Sequence, residues 1–185
     1  MDLDAAERAA HALLTALDVE VNVEGRRETP GRIARMYAEL LSPEPFAATT
    51  FPNDNGYDEL VSVCDIPFHS LCEHHLMPFV GVAHVAYLPG DRIVGISKLA
   101  RVVDRFARAV QVQERLTAQV ADWLEDELRP RGVGVVVDAE HLCMTLRGAN
   151  KPGARTVTSA LRGTVREDPR TRSEFLALCG VAQRP

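Results

Sequence analysis

The chain has 185 residues, 46% of them hydrophobic and 25% charged, the balance of a globular domain and not of a disordered chain. Its 21 Lys and Arg against 26 Asp and Glu give a formal net charge of −5. That excludes a general nucleic-acid binder, which needs a basic face, but not a small anion held by a local basic cluster. No apolar run approaches the about 18 residues of a membrane helix, and the acidic start Met1-Asp2-Leu3-Asp4 does not read as a secretory signal. Four cysteines are too few to staple a domain of this length, so a cytoplasmic, reducing setting is expected.

In chain order, Leu3, Ala6, Ala10, Leu13, Leu14 and Leu17 recur at helical steps and predict an amphipathic helix over 3–17. Thr29-Pro30 opens a second helix to about Leu41, and the Pro- and Asn-containing stretch 43–57 reads as a loop. The first 57 residues are thus expected to form a helical arm, with the main domain over 58–185. There, a strand over 59–66 is followed by a polar loop from His69 to His75, and a strand over 79–88 ends in the turn Pro89-Gly90-Asp91-Arg92. Ser97 is a plausible cap for a helix over 98–108, and a second helix spans about 112–129 with Leu116, Val120, Leu124 and Leu128 on one stripe. A long strand over 133–147, a turn, a returning strand over 154–165 and a last helix over 168–179 complete the order. Paired strands flanking paired helices predict an antiparallel α+β unit.

Two segments carry chemistry. Cys72-Glu73-His74-His75 can aim Cys72 and His75 at one point from a tight turn. On the strand over 133–147, His141 and Cys143 would share a face about 7 Å apart. A lone Cys or His is usually a buried thiol or an ordinary polar residue; two sulfurs and three imidazoles together suit a borderline-soft ion, zinc above others. Five donors fit a catalytic centre, with three ligands and an open position, better than a closed structural one. Cys64 and Cys179 read as ordinary buried thiols.

Among the cations, Ser97-Lys98-Leu99-Ala100-Arg101 opens a helix, where free N–H groups favour an anion. Arg147 falls on the predicted face of His141 and Cys143, and Arg32 and Arg35 lie one turn apart on the second helix. Glu114 is either a carboxylate compensating a helix dipole or an acceptor for a guanine-like base.

Taken together, Ser70-Leu71-Cys72-Glu73-His74-His75-Leu76, Gly95-Ile96-Ser97-Lys98-Leu99-Ala100-Arg101, Gln111-Val112-Gln113-Glu114-Arg115-Leu116-Thr117, His141-Leu142-Cys143-Met144, Arg147-Gly148, Thr156-Val157-Thr158-Ser159 and Arg166-Glu167-Asp168-Pro169 resemble GTP cyclohydrolase I, in family order from about Thr29 to the final helix. The resemblance implies the tunnelling fold, whose ββααββ units, with helices on one face of the antiparallel sheet, assemble into an oligomeric barrel, typically a homodecamer of two pentamers. It implies conversion of GTP and water into 7,8-dihydroneopterin triphosphate and formate, the first step of tetrahydrofolate and pterin biosynthesis. By motif position it implies zinc on Cys72, His75 and Cys143, and proton transfer by His74, His141 and Ser97. Glu114 with Gln113 would recognise guanine. Lys98, Arg101 and Arg147, with Arg32 and Arg35 of a neighbouring subunit, would surround the triphosphate.

The chain departs from the family pattern at Ala109, where arginine is usual, at Val110, where proline is common, at His69, and at Ala149-Asn150. None removes an implied ligand or proton donor. Two other readings stand beside the enzyme: a paralogue on the same fold with altered substrate or product, and a non-catalytic, zinc-stabilised nucleotide-binding subunit. Retention of His74, His141 and Glu114 disfavours the latter, which needs only the metal cage.

Overall fold

The computed structural model describes residues 1–180, in two compact units, one over Met1–Ser42 and one beginning at Pro43. The first pairs helix α1 (Leu3–Ala16) with α2 (Thr29–Leu40). Asp2 caps α1 by accepting the Ala5 N–H at 2.9 Å, satisfying one of the helix's orphan donors. Gly31 permits the close approach of the two helices, since a Cβ there would meet a Glu7 carboxylate oxygen at 3.1 Å. Arg32 and Arg35 are exposed on α2.

The second unit runs β1 (Thr50–Pro52), β2 (Val61–Cys72), β3 (Pro78–Leu88), β4 (Arg92–Val94), α3 (Ile96–Ala107), β5 (Val110–Gln111), α4 (Gln113–Leu128), β6 (Gly132–His141), α5 (Leu142–Thr145), β7 (Thr156–Arg162), α6 (Gly163–Glu167) and α7 (Pro169–Leu178). Its main sheet has the order β5-β2-β3-β6-β7. All pairs are antiparallel except the short parallel contact of β5 with the end of β2. Residues 43–57, grouped with the arm on composition, belong to this unit: β1 pairs with β4, and the Phe46 ring lies 5.6 Å from that of Trp123.

Strand alternation sorts the core into two layers. Val85, Tyr87, Val133, Val135 and Val137 face the apolar stripes of α3 and α4, with Leu99, Val102, Leu116, Val120 and Leu124 buried between. Ala86, Leu88 and Val136 face the other way, onto Val165 and Phe175. The expectation of helices on one face therefore holds for α3 and α4, while α7 covers part of the opposite face. Gly134 makes room there: a Cβ would come within 2.7 Å of the Phe175 ring.

Three elements differ from expectation in ways that matter below. The strand expected over 133–147 ends at His141, because β3 offers no partner beyond Phe79 and β7 none beyond Thr156; backbone groups without a ladder turn inward instead, as α5. His141 and Cys143 therefore do not share a strand face. The strand expected over 59–66 continues to Cys72, because β3 pairs with it as far as Leu71, which reduces the polar loop to a tight turn. Gly95, not Ser97, caps α3, so Ser97 lies within the first turn.

Candidate functional site

The end of β2, the start of α4 and the junction of β6 with α5 converge on one cleft of about 260 Å³. The turn after β2 is closed by the Leu76 N–H donating to Cys72 O at 2.8 Å, with Leu76 in the left-handed region at φ 52°. It is tied to β5 by the Glu73 N–H on Gln111 O at 2.9 Å. Arg115 braces it further, bonding Glu73 Oε2 at 2.5 Å and Gln111 Oε1 at 2.8 Å.

This turn presents Cys72, His74 and His75 together. Cys72 Sγ lies 3.8 Å from Cys143 Sγ, 3.7 Å from His75 Nδ1 and 3.9 Å from His74 Nδ1. A ring nitrogen of His141 and the two sulfurs all fall within 4.8 Å of one another. Two thiolates on one tetrahedral ion, with bonds of about 2.3 Å, stand about 3.8 Å apart, so the sulfur pair has the spacing of metal ligands. Burial pushes the Cys143 thiol up, and the adjacent Cys72 pushes it further; a bound cation reverses both effects by favouring thiolates. Cys72, His141 and Cys143 form a group that could hold a metal.

His141 is held on two sides. It stacks on Phe79 with ring centroids 4.5 Å apart and planes at 1°, and its Nε2 lies 2.8 Å from Gln113 Oε1. The amide nitrogen of Gln113 reaches Val137 O at 3.0 Å, Thr156 O at 2.9 Å and Thr158 Oγ1 at 3.2 Å. Carbonyls only accept, so the amide nitrogen faces them and its oxygen faces His141. An amide oxygen also only accepts, so His141 Nε2 carries a proton and donates it. Nδ1 is left as the ring's working atom. Burial lowers the His141 pKa, and the charge of Glu114 partly offsets this. Gln113 was expected beside Glu114 at a base; its buried side chain has its amide nitrogen and oxygen engaged by Val137, Thr156, Thr158 and His141.

Glu114, exposed in the first turn of α4, lines the cleft with Met144 and Thr156. Arg147 Nη1 stands 3.2 Å from His75 Nε2, though Arg147 itself does not line the cleft. Lys98, Arg101 and Ser97 are not among the lining residues. Lys98 Nζ sits 5.9 Å from the Phe46 ring centroid, and Arg101 borders a separate hollow with Asp104 and Arg108. Sequence reasoning missed Phe79 and Gln111; the only signal for Phe79 is its register opposite His141.

The family model for GTP cyclohydrolase I matches residues 6–180. The chain belongs to the GTP cyclohydrolase I family. Curated relatives named GTP cyclohydrolase 1 agree along nearly the whole chain. That of Streptomyces avermitilis is 56% identical over 180 residues, covering 94% of this chain and 88% of its own. That of Aquifex aeolicus is 51% identical over 178 residues, covering 96% and 97%, and that of Bacillus cytotoxicus 51% over 183 residues, covering 96% of each. Among solved structures, the apo form of the archaeosine synthase QueF-Like is similar at 19% identity and a TM-score of 0.46, covering 57% of this chain and 94% of that one. As a GTP cyclohydrolase I family member the chain is an enzyme acting on GTP, and its β2-β3-α3-α4-β6-β7 order is the ββααββ unit of the tunnelling fold. None of its described helices is long and apolar enough to cross a membrane.

Proposed function

We propose that the chain converts GTP and water into 7,8-dihydroneopterin triphosphate and formate at a zinc centre held by Cys72, His75 and Cys143. The observation that carries this reading is the 3.8 Å sulfur pair beside a histidine clamped by a buried amide. His75 is favoured as third ligand because its Nδ1 lies 3.7 Å from Cys72 Sγ, against about 3.6 Å for sulfur and nitrogen on one tetrahedral zinc. His141 engages Gln113 through Nε2, and in this reading its Nδ1 is kept for proton transfer. Three protein ligands leave one position open, and the ion supplies Lewis acidity that makes water a nucleophile at neutral pH.

The chain's own residues do the rest. The Glu114 carboxylate accepts from the N1–H and amino group of guanine and orients C8 toward the sulfur pair. His141 holds a proton at Nδ1 and passes it to N7, so that negative charge does not build on the ring as C8 is hydrated. His74 and Ser97 move protons at the ribose as it opens and recloses onto the freed amine. Lys98, Arg101 and Arg147, with Arg32 and Arg35, hold the triphosphate.

Placement of Lys98 and Arg101 away from the cleft supports a site completed by a neighbouring subunit. The sheet favours such assembly: β5 covers β2 only at Leu71 and Cys72, β7 forms the other edge, and Val157 on it is 55% exposed. Two different open edges pair head to tail and close into a ring, in keeping with a homodecamer of two pentamers. In this reading the reaction runs in the cytoplasm, as the first step of tetrahydrofolate and pterin synthesis.

The test is to incubate the zinc-loaded protein with GTP, following formate and the fluorescence of the oxidised pterin. Both should appear in equal amounts. Formate without pterin would establish the paralogue reading, and neither product would establish the non-catalytic one.

A further inference from the structure

The opposite face of the sheet carries a second sulfur pair that the reaction does not use. Cys64 lies on β2 and Cys179 caps α7, 115 residues apart in sequence, with their sulfurs 3.1 Å apart. A bulge sets this up. The register of β2 on β3 shifts between Val63 and Ile66, with Asp65 in the left-handed region at φ 55°. Cys64 is left packed with Phe175 and Cys179 beneath α7. The Asp65 N–H freed by the bulge is taken up by His84 Nδ1 at 3.3 Å.

His84 and the two sulfurs lie within 4.8 Å of one another, but the sulfur spacing argues against a shared ion. Two zinc thiolates stand about 3.8 Å apart, the spacing of Cys72 and Cys143. The 3.1 Å pair is well inside that and about 1 Å from a bonded length of about 2.05 Å.

We propose that Cys64 and Cys179 form a reversible disulfide, by exchange with a low-molecular-weight disulfide, that fastens the end of α7 to β2. The Cys64 thiolate attacks one sulfur of the reagent and expels a thiolate, giving a mixed disulfide. The Cys179 thiolate then attacks the Cys64 sulfur and expels the second thiolate. The protons of Cys64 and Cys179 end on the two released thiols; the protein loses two electrons and the reagent gains two. Cys64 goes first because it is only half-buried, whereas Cys179 is buried and its thiol is pushed up by burial, by Cys64 and by Asp65. The bond would close a loop spanning the whole sheet, and long loops give the largest constraint on the unfolded chain. In a reducing compartment such a bond is transient and reports redox state.

The experiment equilibrates the zinc-loaded full-length protein with oxidised glutathione. Expected are a mass loss of two hydrogens, an unreduced digest joining the peptides of Cys64 and Cys179, and a Tm higher by roughly 5 °C or more. Dithiothreitol should reverse all three. Cys64→Ser and Cys179→Ala should each abolish the cross-link while retaining zinc and turnover; either alone suffices if the other folds poorly. A lasting glutathione adduct on Cys64 with Cys179 still alkylatable would overturn the proposal. So would a cross-link confined to Cys72 and Cys143, or a second equivalent of zinc lost on Cys64→Ser.

Discussion

Two Cys–His–Cys groups occupy the same sheet, and the chemistry proposed for them differs. Cys72, His141 and Cys143 open into a cleft beside the carboxylate of Glu114. Cys64, His84 and Cys179 form the other group, with half-buried Cys64 and buried Cys179 packed among Leu60, Val136 and Phe175. The sulfurs stand 3.8 Å apart in the first and 3.1 Å in the second. The first histidine is held by a side-chain amide and an aromatic ring, the second by the backbone of a bulge. In the proposed reading, spacing and the partner of the imidazole, and not donor type, separate the metal centre from the dithiol.

The contrast can be broken most sharply by deleting one sulfur from each group. Cys143→Ala should lose zinc and GTP turnover together, by elemental analysis and formate release, whereas Cys179→Ala should keep both. Equal zinc loss in the two variants would erase the distinction. Next in size, His141→Ala should lower kcat about 10²- to 10⁴-fold with zinc content unchanged; loss of zinc would make His141 a ligand in place of His75. Gln113→Leu should cost about ten- to a hundredfold in kcat through a misplaced imidazole, with KM and zinc near wild type. At the α7 side, Gly134→Ala should leave turnover intact yet destabilise by about 1–3 kcal/mol in urea, since the Phe175 ring must shift.

The smallest effect concerns the cap of α7. The Thr171 hydroxyl and the N–H groups of Arg170 and Thr171 hold the Asp168 carboxyl below its ordinary value. A depressed carboxylate contributes stability above its unfolded pKa and loses it as pH falls through the lower folded one. Asp168→Asn should therefore flatten the acid limb of the Tm–pH curve by lowering its neutral plateau, leaving the acid end nearly unchanged.

Much of this was legible before the structure. Apolar periodicity located α1 and α4, cap and proline signals located α2 and α3, and Cys72, His74, His75, His141 and Cys143 do line one cleft. What escaped was whatever depends on a distant partner. β5 has two residues and forms because the end of β2 is there to pair with. The alternation of 133–147 continues past His141, but the ladder does not. Gln113 reads as a base contact until Val137 and Thr156, from two different strands, are seen to occupy its amide. Cys64 and Cys179, 115 positions apart, carry no local signal at all.

The fixed orientation of that amide gives the His141 ring a single door for protons. With Nε2–H of His141 permanently pledged to Gln113 Oε1, the ring cannot pass a proton through itself from the interior to the substrate. In the proposed reaction Nδ1 both delivers the proton and takes back its replacement, on the side the nucleotide occupies. Recharging waits until solvent re-enters, so turnover should carry a solvent isotope effect on product departure that a relay through the ring would not produce.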